Sequence, residues 1–404
     1  MLQVLLNEGE WEKFYEYKTS LIKETSFNKK LRVFIDNRRY VELYELIVNK
    51  SLSIPNRSEI SKVGTTKKRV IYKYKFDENI MLKFLTWYLL RKYNYYFSDN
   101  LYSFRPHINA KTAINRIKKL HINHKYFYKT DIHDYFNSIP TDRLIVMLND
   151  VLKEEDNDIK EFFKYVLKQP LIYNVENKEY GVEQKGIMAG TPFAAFLANV
   201  YLSDLDKYFS DNGIIYARYS DDIIVFADTA EDRDNYANFI RNFMVSKGLE
   251  INPKKDVLGN PETDCVFLGF KIDSENVIDI APVTVDKLKA KMRRKYKALD
   301  RWGNRNKVDR EVLAKKFIEI FNHKLFDRPD ETELSWSYWF FSVITTDKSL
   351  KIVDNYAQDC IRYLAYGHHT KGRFKIRYEQ IKEWGYRCLV TEWHKWKNKK
   401  LIKN

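Results

Sequence analysis

Hydrophobic residues recur along this chain first at helical and then at strand spacing. Tyr40, Leu43, Leu46 and Ile47 share roughly one face of a helix over Arg39 to Val48. Lys67 to Tyr74, KKRVIYKY, reads as a basic strand. Ile80, Met81, Phe84, Leu85, Tyr88 and Leu89 then predict a helix from about Asp77, and Ala113, Ile114, Ile117 and Leu120 a second one. YKTDIHDYFNSIP is a strand that runs into a turn at Pro140, followed by two amphipathic helices over Leu144 to Leu167. A hairpin is expected over Leu171 to Gly186 with a polar tip near Glu176, and a helix from Thr191 to Phe209. Ile214 to Ala217 and Ile223 to Ala227 read as strands of a second hairpin, then a helix runs from Glu231 to Lys247. LEIN and CVFLGFKI are short strand segments, and beyond about Ala281 the chain is helical, basic and Trp-bearing. The predicted class is α+β. An N-terminal helical extension is expected over 1–59, a mixed region over 60–275 and a basic helical domain over 276–404.

Composition adds a polyanion partner to this picture. Lys and Arg total 70 against 55 Asp and Glu, a formal net charge of +15 over 404 residues. That surplus gives salt-dependent, sequence-blind attraction to phosphate backbones. Aromatic residues make up 15% of the chain; some suit base stacking and most suit a core. Cys265, Cys360 and Cys388 lie far apart, which argues against a zinc site or a disulfide framework and fits a reducing, cytoplasmic setting. MLQVLLNEGEWEKF reads as too short and too acidic for a signal peptide, and no apolar run approaches the ~18 residues of a membrane span.

The chemistry concentrates in three carboxylates. Asp221 and Asp222 are adjacent at a hairpin turn that leads into an apolar strand. Like charges that close repel, and apolar strands seldom end in unpaired buried carboxylates. Taken alone, such a pair is more often a solvated turn. Asp131 stands in a second apolar strand, and two neighbouring strands would bring it against Asp221 and Asp222. Three carboxylates could then hold two Mg²⁺ ions roughly 4 Å apart, the arrangement that activates a 3′-hydroxyl and steadies a leaving pyrophosphate.

Here the residues resemble a known family. YSDD is similar to the metal-binding turn of reverse transcriptases, and DIHDYFNSIP to their first aspartate motif. GIMAGTPFAAFLANVYL, Gly186 to Leu202, resembles their dNTP-side motif in the bacterial retron and group II intron lineage. KGLEINPKK, Lys247 to Lys255, resembles the next motif; FLGF, Phe267 to Phe270, the primer-grip region; SFRP, Ser103 to Pro106, a finger motif. All six fall in family order.

The resemblance implies a right-hand polymerase with fingers, palm and a helical thumb, acting as an RNA-directed DNA polymerase. Asp131, Asp221 and Asp222 are implied as metal ligands, with the Ile132 carbonyl as an extra oxygen. Lys68 and Arg69 match residues that grip the triphosphate, which suits cations on a strand; a solvated edge is the other reading. Gly190 belongs to the nucleotide side. Lys255 matches a lysine assigned to protonate pyrophosphate, with Lys254 adjacent. Phe136 matches an aromatic under the sugar that excludes a 2′-hydroxyl, unless it is simply a core residue. The implied partners are an RNA template, dNTPs and a DNA product, with a homo-oligomer left open.

Some positions depart from the family pattern. Met188-Ala189 stand where intron enzymes usually have Pro-Gln, and Ser220 stands where Ala or Val is usual. No DNA-endonuclease or ribonuclease H signature is apparent. GTPFAAFLANVYL with a basic helical tail most resembles the defence-associated reverse transcriptases of bacteria, the unknown-group and abortive-infection types, which implies an antiphage role with a structured non-coding RNA. Two alternatives compete: a template-independent DNA polymerase of the same group, and an RNA-binding protein whose catalysis is dispensable.

Overall fold

The computed structural model describes residues 1–21, 25–61, 68–120, 125–327 and 335–402. Lys67, part of the expected basic strand, lies outside them. The chain forms two compact units, Met1–Thr263 and Asp264–Asn404.

Among its described residues the first unit contains eight strands in chain order: β1 (Asn56–Ser61), β2 (Lys68–Lys73), β3 (Tyr126–Asp131), β4 (Leu171–Asn174), β5 (Glu179–Val182), β6 (Tyr216–Tyr219), β7 (Asp222–Ala227) and β8 (Val257–Gly259). They form two four-stranded sheets, ordered β2-β1-β4-β5 and β6-β7-β3-β8. The second sheet is antiparallel throughout, with β3 and β7 at its centre. All of Ile223–Ala227 is buried, which is why β7 reads as a continuous apolar run rather than an alternating one. The helix Ala230–Ser246 packs on β3 and β7, and Thr229 caps its start by accepting from the Asp232 amide.

The N-terminal helices Glu8–Leu21, Ser26–Asp36 and Arg39–Val48 share one hydrophobic core with the rest of the first unit. Trp11 stacks on Phe84 of the helix Phe76–Lys92 at a centroid distance of 4.0 Å, with Phe14 edge-on to the same ring. Trp11, Phe14 and Phe84 are fully buried, each contributing about 1.5–3 kcal/mol of hydrophobic stabilisation.

Two expected elements differ. The helix expected over Thr191 to Phe209 is two, Ala194–Tyr201 and Ser203–Asp211. At the break, Ser203 Oγ donates to the Val200 carbonyl and competes with the helical ladder. LEIN is not a strand, although Ile251 makes an isolated bridge to Ile132. Asn252 instead caps a short 3₁₀ turn over Pro253–Lys255, because proline has no N–H to give a ladder. The third strand neighbour of the site is β8.

In the second unit, β9 (Cys265–Phe267), β10 (Phe270–Ile272) and β11 (Ile278–Ile280) form an antiparallel sheet. FLGF is its first turn: Leu268 and Gly269 both have positive φ, 50° and 86°, as a type I′ hairpin requires. This turn falls in the compact unit Asp264–Asn404. The long basic helix Pro282–Asn306 buries Val285, Leu288, Met292 and Tyr296 and packs on Arg310–Phe326 and Lys348–Tyr366. Asp354, buried, caps the helix Leu389–Ile402 by accepting from the amides of Leu389 and Val390 and from Tyr386 Oη. Among the described residues no two cysteines are joined in a disulfide. Among the described residues no helix is long and apolar enough to cross a membrane.

Candidate active site

The site is built where β3 ends and β7 begins. Asp131 and Asp222 are directly opposite in the β3–β7 register, which on an antiparallel ladder holds their Cα atoms within about 5.5 Å. β6 and β7 pair up to Tyr219 and Asp222, so Ser220 and Asp221 form a two-residue hairpin loop. Ser220 has φ of 60° while Asp221 does not share the left-handed region, the pattern of a type II′ turn. The Ile132 amide donates to the Asp221 carbonyl at 3.2 Å, tying the loop back to β3.

A buried polar layer holds this turn. Arg218 is fully buried and grips Asp206 through Nε (2.8 Å) and Nη2 (2.6 Å), while Tyr216 Oη donates to the same carboxylate. The guanidinium also donates to the Ser220 and Asn199 carbonyls at 3.2 and 3.3 Å. Ser103 Oγ accepts from the Ser220 amide at 2.9 Å and donates to Asn199 Oδ1. Asn199 Nδ2 returns to the Ser103 carbonyl. Ser103 lies in the SFRP segment and Asn199 in the glycine-led motif, so three distant stretches converge under Ser220. Sequence reading missed Arg218, Asp206 and Asn199 as a unit; Arg218 stands between Ala217 and Tyr219 on a buried strand, but Asp206 is one of several charges in the helix Ser203–Asp211 and carries no signal of its own.

The carboxylates are crowded. Burial, then the charges of Asp131 and Asp222, push the Asp221 carboxyl up to about 6. Lys255 Nζ lies 2.5 Å from Asp131 Oδ2, and Asn252 Nδ2 donates to Oδ1 at 3.3 Å. Burial works against the Lys255 charge, yet the Asp131 bond and the fields of Asp222 and Asp221 hold its ammonium above the ordinary lysine range. Among the described residues no three His, Cys, Asp or Glu side chains are gathered as a ready-made metal-ligand group. The register brings the expected ligands together, but the Asp131 carboxylate is turned onto Lys255. Like charges separate unless positive charge lies between them, and here the lysine supplies it. The donor set still fits a hard divalent cation, being carboxylate oxygens whose mutual repulsion already raises Asp221.

Phe136 is half-buried, its ring edge-on to Tyr135 and to Phe104. The Gly186–Gly190 loop is clamped around it. The Ile187 amide donates to the Phe136 carbonyl at 2.8 Å and the Ala189 amide to Asn137 Oδ1 at 3.1 Å. A Cβ on Gly186 would lie 2.5 Å from the Phe136 carbonyl oxygen, so only glycine fits there. Gly190 has φ of 98° and rests against Ile71 and Tyr72 of β2, and the Tyr72 amide donates to the Ala189 carbonyl at 2.8 Å. The loop thus ties the Phe136 turn to the strand that bears Lys68 and Arg69. Met188 is buried and accepts from Tyr74 Oη, so at this departure from the family pattern the side chain serves packing. Lys68 and Arg69 are both exposed, on opposite faces of β2 because strand side chains alternate. Lys68 Nζ is ion-paired with Glu59 at 3.0 Å. The structure does not bring these two cations to one face.

Paired aspartates at the centre of an antiparallel sheet, a two-residue carboxylate turn and a glycine loop behind an aromatic define a right-hand polymerase palm. The chain belongs to the reverse transcriptase (RNA-dependent DNA polymerase) family, whose model matches residues 54–272, more than half of its length. It is 28% identical over 202 residues to the group II intron-encoded protein LtrA of Lactococcus lactis subsp. cremoris, covering 50% of this chain and 32% of LtrA. It is 24% identical over 161 residues to the retron Ec86 reverse transcriptase of Escherichia coli, covering 39% and 45%. The chain thus spans less than half the length of either relative. Among solved structures, apo telomerase from Candida tropicalis aligns with 82% of this chain and 69% of its own at 12% identity, with a TM-score of 0.48.

Proposed function

We propose that this chain copies RNA into DNA through Asp131, Asp221 and Asp222. The observation that carries this is the register pairing Asp131 with Asp222 beside the Ser220–Asp221 turn. Two Mg²⁺ ions held by these carboxylates and the Ile132 carbonyl would supply Lewis-acid activation of the primer 3′-hydroxyl and neutralise charge on the leaving pyrophosphate. The chain's own residues do the positioning. Asn252 and Lys255 orient the Asp131 carboxylate, and Lys255, protonated above the ordinary lysine range, is placed to give its proton to pyrophosphate. Phe136, backed by the Gly186–Gly190 loop, forms the floor under the incoming sugar, with Gly190 on the nucleotide side. Lys68 or Arg69 grips the triphosphate.

Family membership and the net charge of +15 support an RNA template. The basic helix Pro282–Asn306 supports contact with structured RNA. Lys287, Lys291, Arg294 and Lys295 have no acidic partner among the described residues. With Lys324, Trp336 and Trp339 they line two cavities of about 350 and 420 Å³. GTPFAAFLANVYL and the basic helical second unit support an antiphage role with a non-coding RNA, in the cytoplasm. The test is primer extension by purified protein on an RNA template with dNTPs, followed by sequencing of the product and of co-purifying nucleic acid. No templated DNA in either experiment overturns the reading.

A further inference from the structure

Remote from the catalytic carboxylates in sequence, the N-terminal helices gather cations with no acid opposite among the described residues. The helix Phe76–Lys92 carries Lys83, Trp87 and Arg91 at four-residue steps, hence along one stripe. Glu8–Leu21 contributes Phe14, Tyr17 and Lys18. Lys18 Nζ lies 5.3 and 5.2 Å from the Phe14 and Tyr17 ring centroids. The Arg91 guanidinium lies 4.3 Å from the Tyr17 centroid and 4.5 Å from that of Trp87. Lys83 Nζ lies 4.2 Å from the Phe27 centroid.

All three cations are half-buried, and none forms an ion pair among the described residues. Their neighbours behave differently: Lys13 pairs with Glu10, Arg32 with Glu12 and Asp36, Arg38 with Glu8, and Arg39 with Asp77. The Trp87 indole N–H is buried and has no acceptor among the described residues. Burial, then the Lys83 and Arg91 charges, pull the Lys18 ammonium down to about 8. Partly desolvated like charges cost stability unless something else neutralises them.

We propose that Lys18, Lys83 and Arg91 form a binding site for RNA backbone phosphates outside the primer–template duplex. This rests on the reading of the chain as an RNA-using polymerase. Arg91 matches phosphate in fork geometry, and the two lysines add point charges. Cations lie over the Phe14, Tyr17, Phe27 and Trp87 rings, which disfavours entry of these rings into a lipid bilayer.

The test uses the full chain. Binding of a long RNA is measured against salt for the native protein, for a Lys18→Gln, Lys83→Gln, Arg91→Gln triple variant and for Lys18→Met alone. Each phosphate that is no longer neutralised should lower the log–log slope by about 0.7, so roughly 2 for the triple variant. Extension of a short primer–template should be unchanged, and the thermal midpoint without RNA should be unchanged or higher. An unchanged slope in Lys18→Met and in a folded triple variant overturns the proposal. So does a defect confined to binding of phosphatidylglycerol vesicles, with RNA binding intact. If the native protein binds RNA through these residues but extends no primer, the polymerase reading fails and this site stands.

Discussion

Asp131 closes β3 opposite Asp222, which opens β7, and the lysine that contacts Asp131 comes from a third segment, the 3₁₀ turn Pro253–Lys255. Removing the carboxylates tests what this arrangement is for. Asp221→Ala with Asp222→Ala should abolish nucleotide incorporation while leaving RNA affinity within a few-fold, because binding comes from the basic surface. Primer extension and filter binding on the same preparation check this; surviving incorporation shows the assignment to be wrong.

Breaking the buried Arg218–Asp206 pair should cost the fold more than breaking an exposed ion pair. Arg218→Met alone leaves Asp206 buried and uncompensated, at a cost of about 3–5 kcal/mol. Arg218→Met with Asp206→Leu should recover much of the stability but not the activity, since the Ser220 carbonyl still loses its donor. Denaturant unfolding alongside primer extension separates the two effects. Full activity in the double variant would mean that Arg218 does not position the turn.

Sugar choice tests Phe136. A 2′-hydroxyl facing an aromatic edge loses its hydrogen-bond partners, about 1–3 kcal/mol, with steric overlap in addition. At about 1.4 kcal/mol per factor of ten, dNTPs should be preferred over rNTPs at least tens-fold. Phe136→Ala should improve rNTP use without raising dNTP use. Single-nucleotide extension with matched pairs measures this, and equal use of both sugars by the native protein would overturn the DNA-polymerase assignment.

On the basic helix, changing Lys287, Lys291, Arg294 and Lys295 to Gln should flatten the salt dependence of structured-RNA binding. The slope should fall by up to about 0.7–0.9 for each phosphate these side chains neutralise. These cations repel one another and Lys324, whose ammonium is lowered by burial and then by Lys291, Arg294 and Lys295. A slope identical to that of the native protein would leave them as solvated charges.

Lys18 gives a pH signature. Its folded value of about 8 lies below the ordinary 10.5, so between these the unfolded chain binds more protons and stability rises with pH. Lys18→Met should therefore be more stable than the native protein below pH 8, and the gap should close towards pH 10.5. The Lys83 ammonium and the Arg91 guanidinium, both lowered by burial, and the Tyr17 ring face the same cluster. A gap that does not change with pH would place Lys18 in solvent.

The family, and the strand ends that set Asp131 opposite Asp222, were legible in the sequence because they depend on local order. YSDD between apolar strands, DIHDYFNSIP and the glycine-led motif each specify a turn or a strand end on their own. The basic helix was likewise written in its charge pattern. Tertiary structure alone decided the rest. Arg218, Asp206, Asn199 and Ser103 are scattered along the chain, and only sheet pairing makes them one support for Ser220. The adjacency of Lys68 and Arg69 suggested a joint grip, which strand alternation separates. The first helices read as an extension, because Trp11, Phe14 and Phe34 are sparse in sequence and become core only when Trp11 and Phe14 pack on Phe84 and Phe34 packs on Trp11. Local pattern fixes elements through nearest-neighbour sterics and periodicity, whereas ion-pair partners, burial and the facing of side chains are set by which distant segments the core brings together.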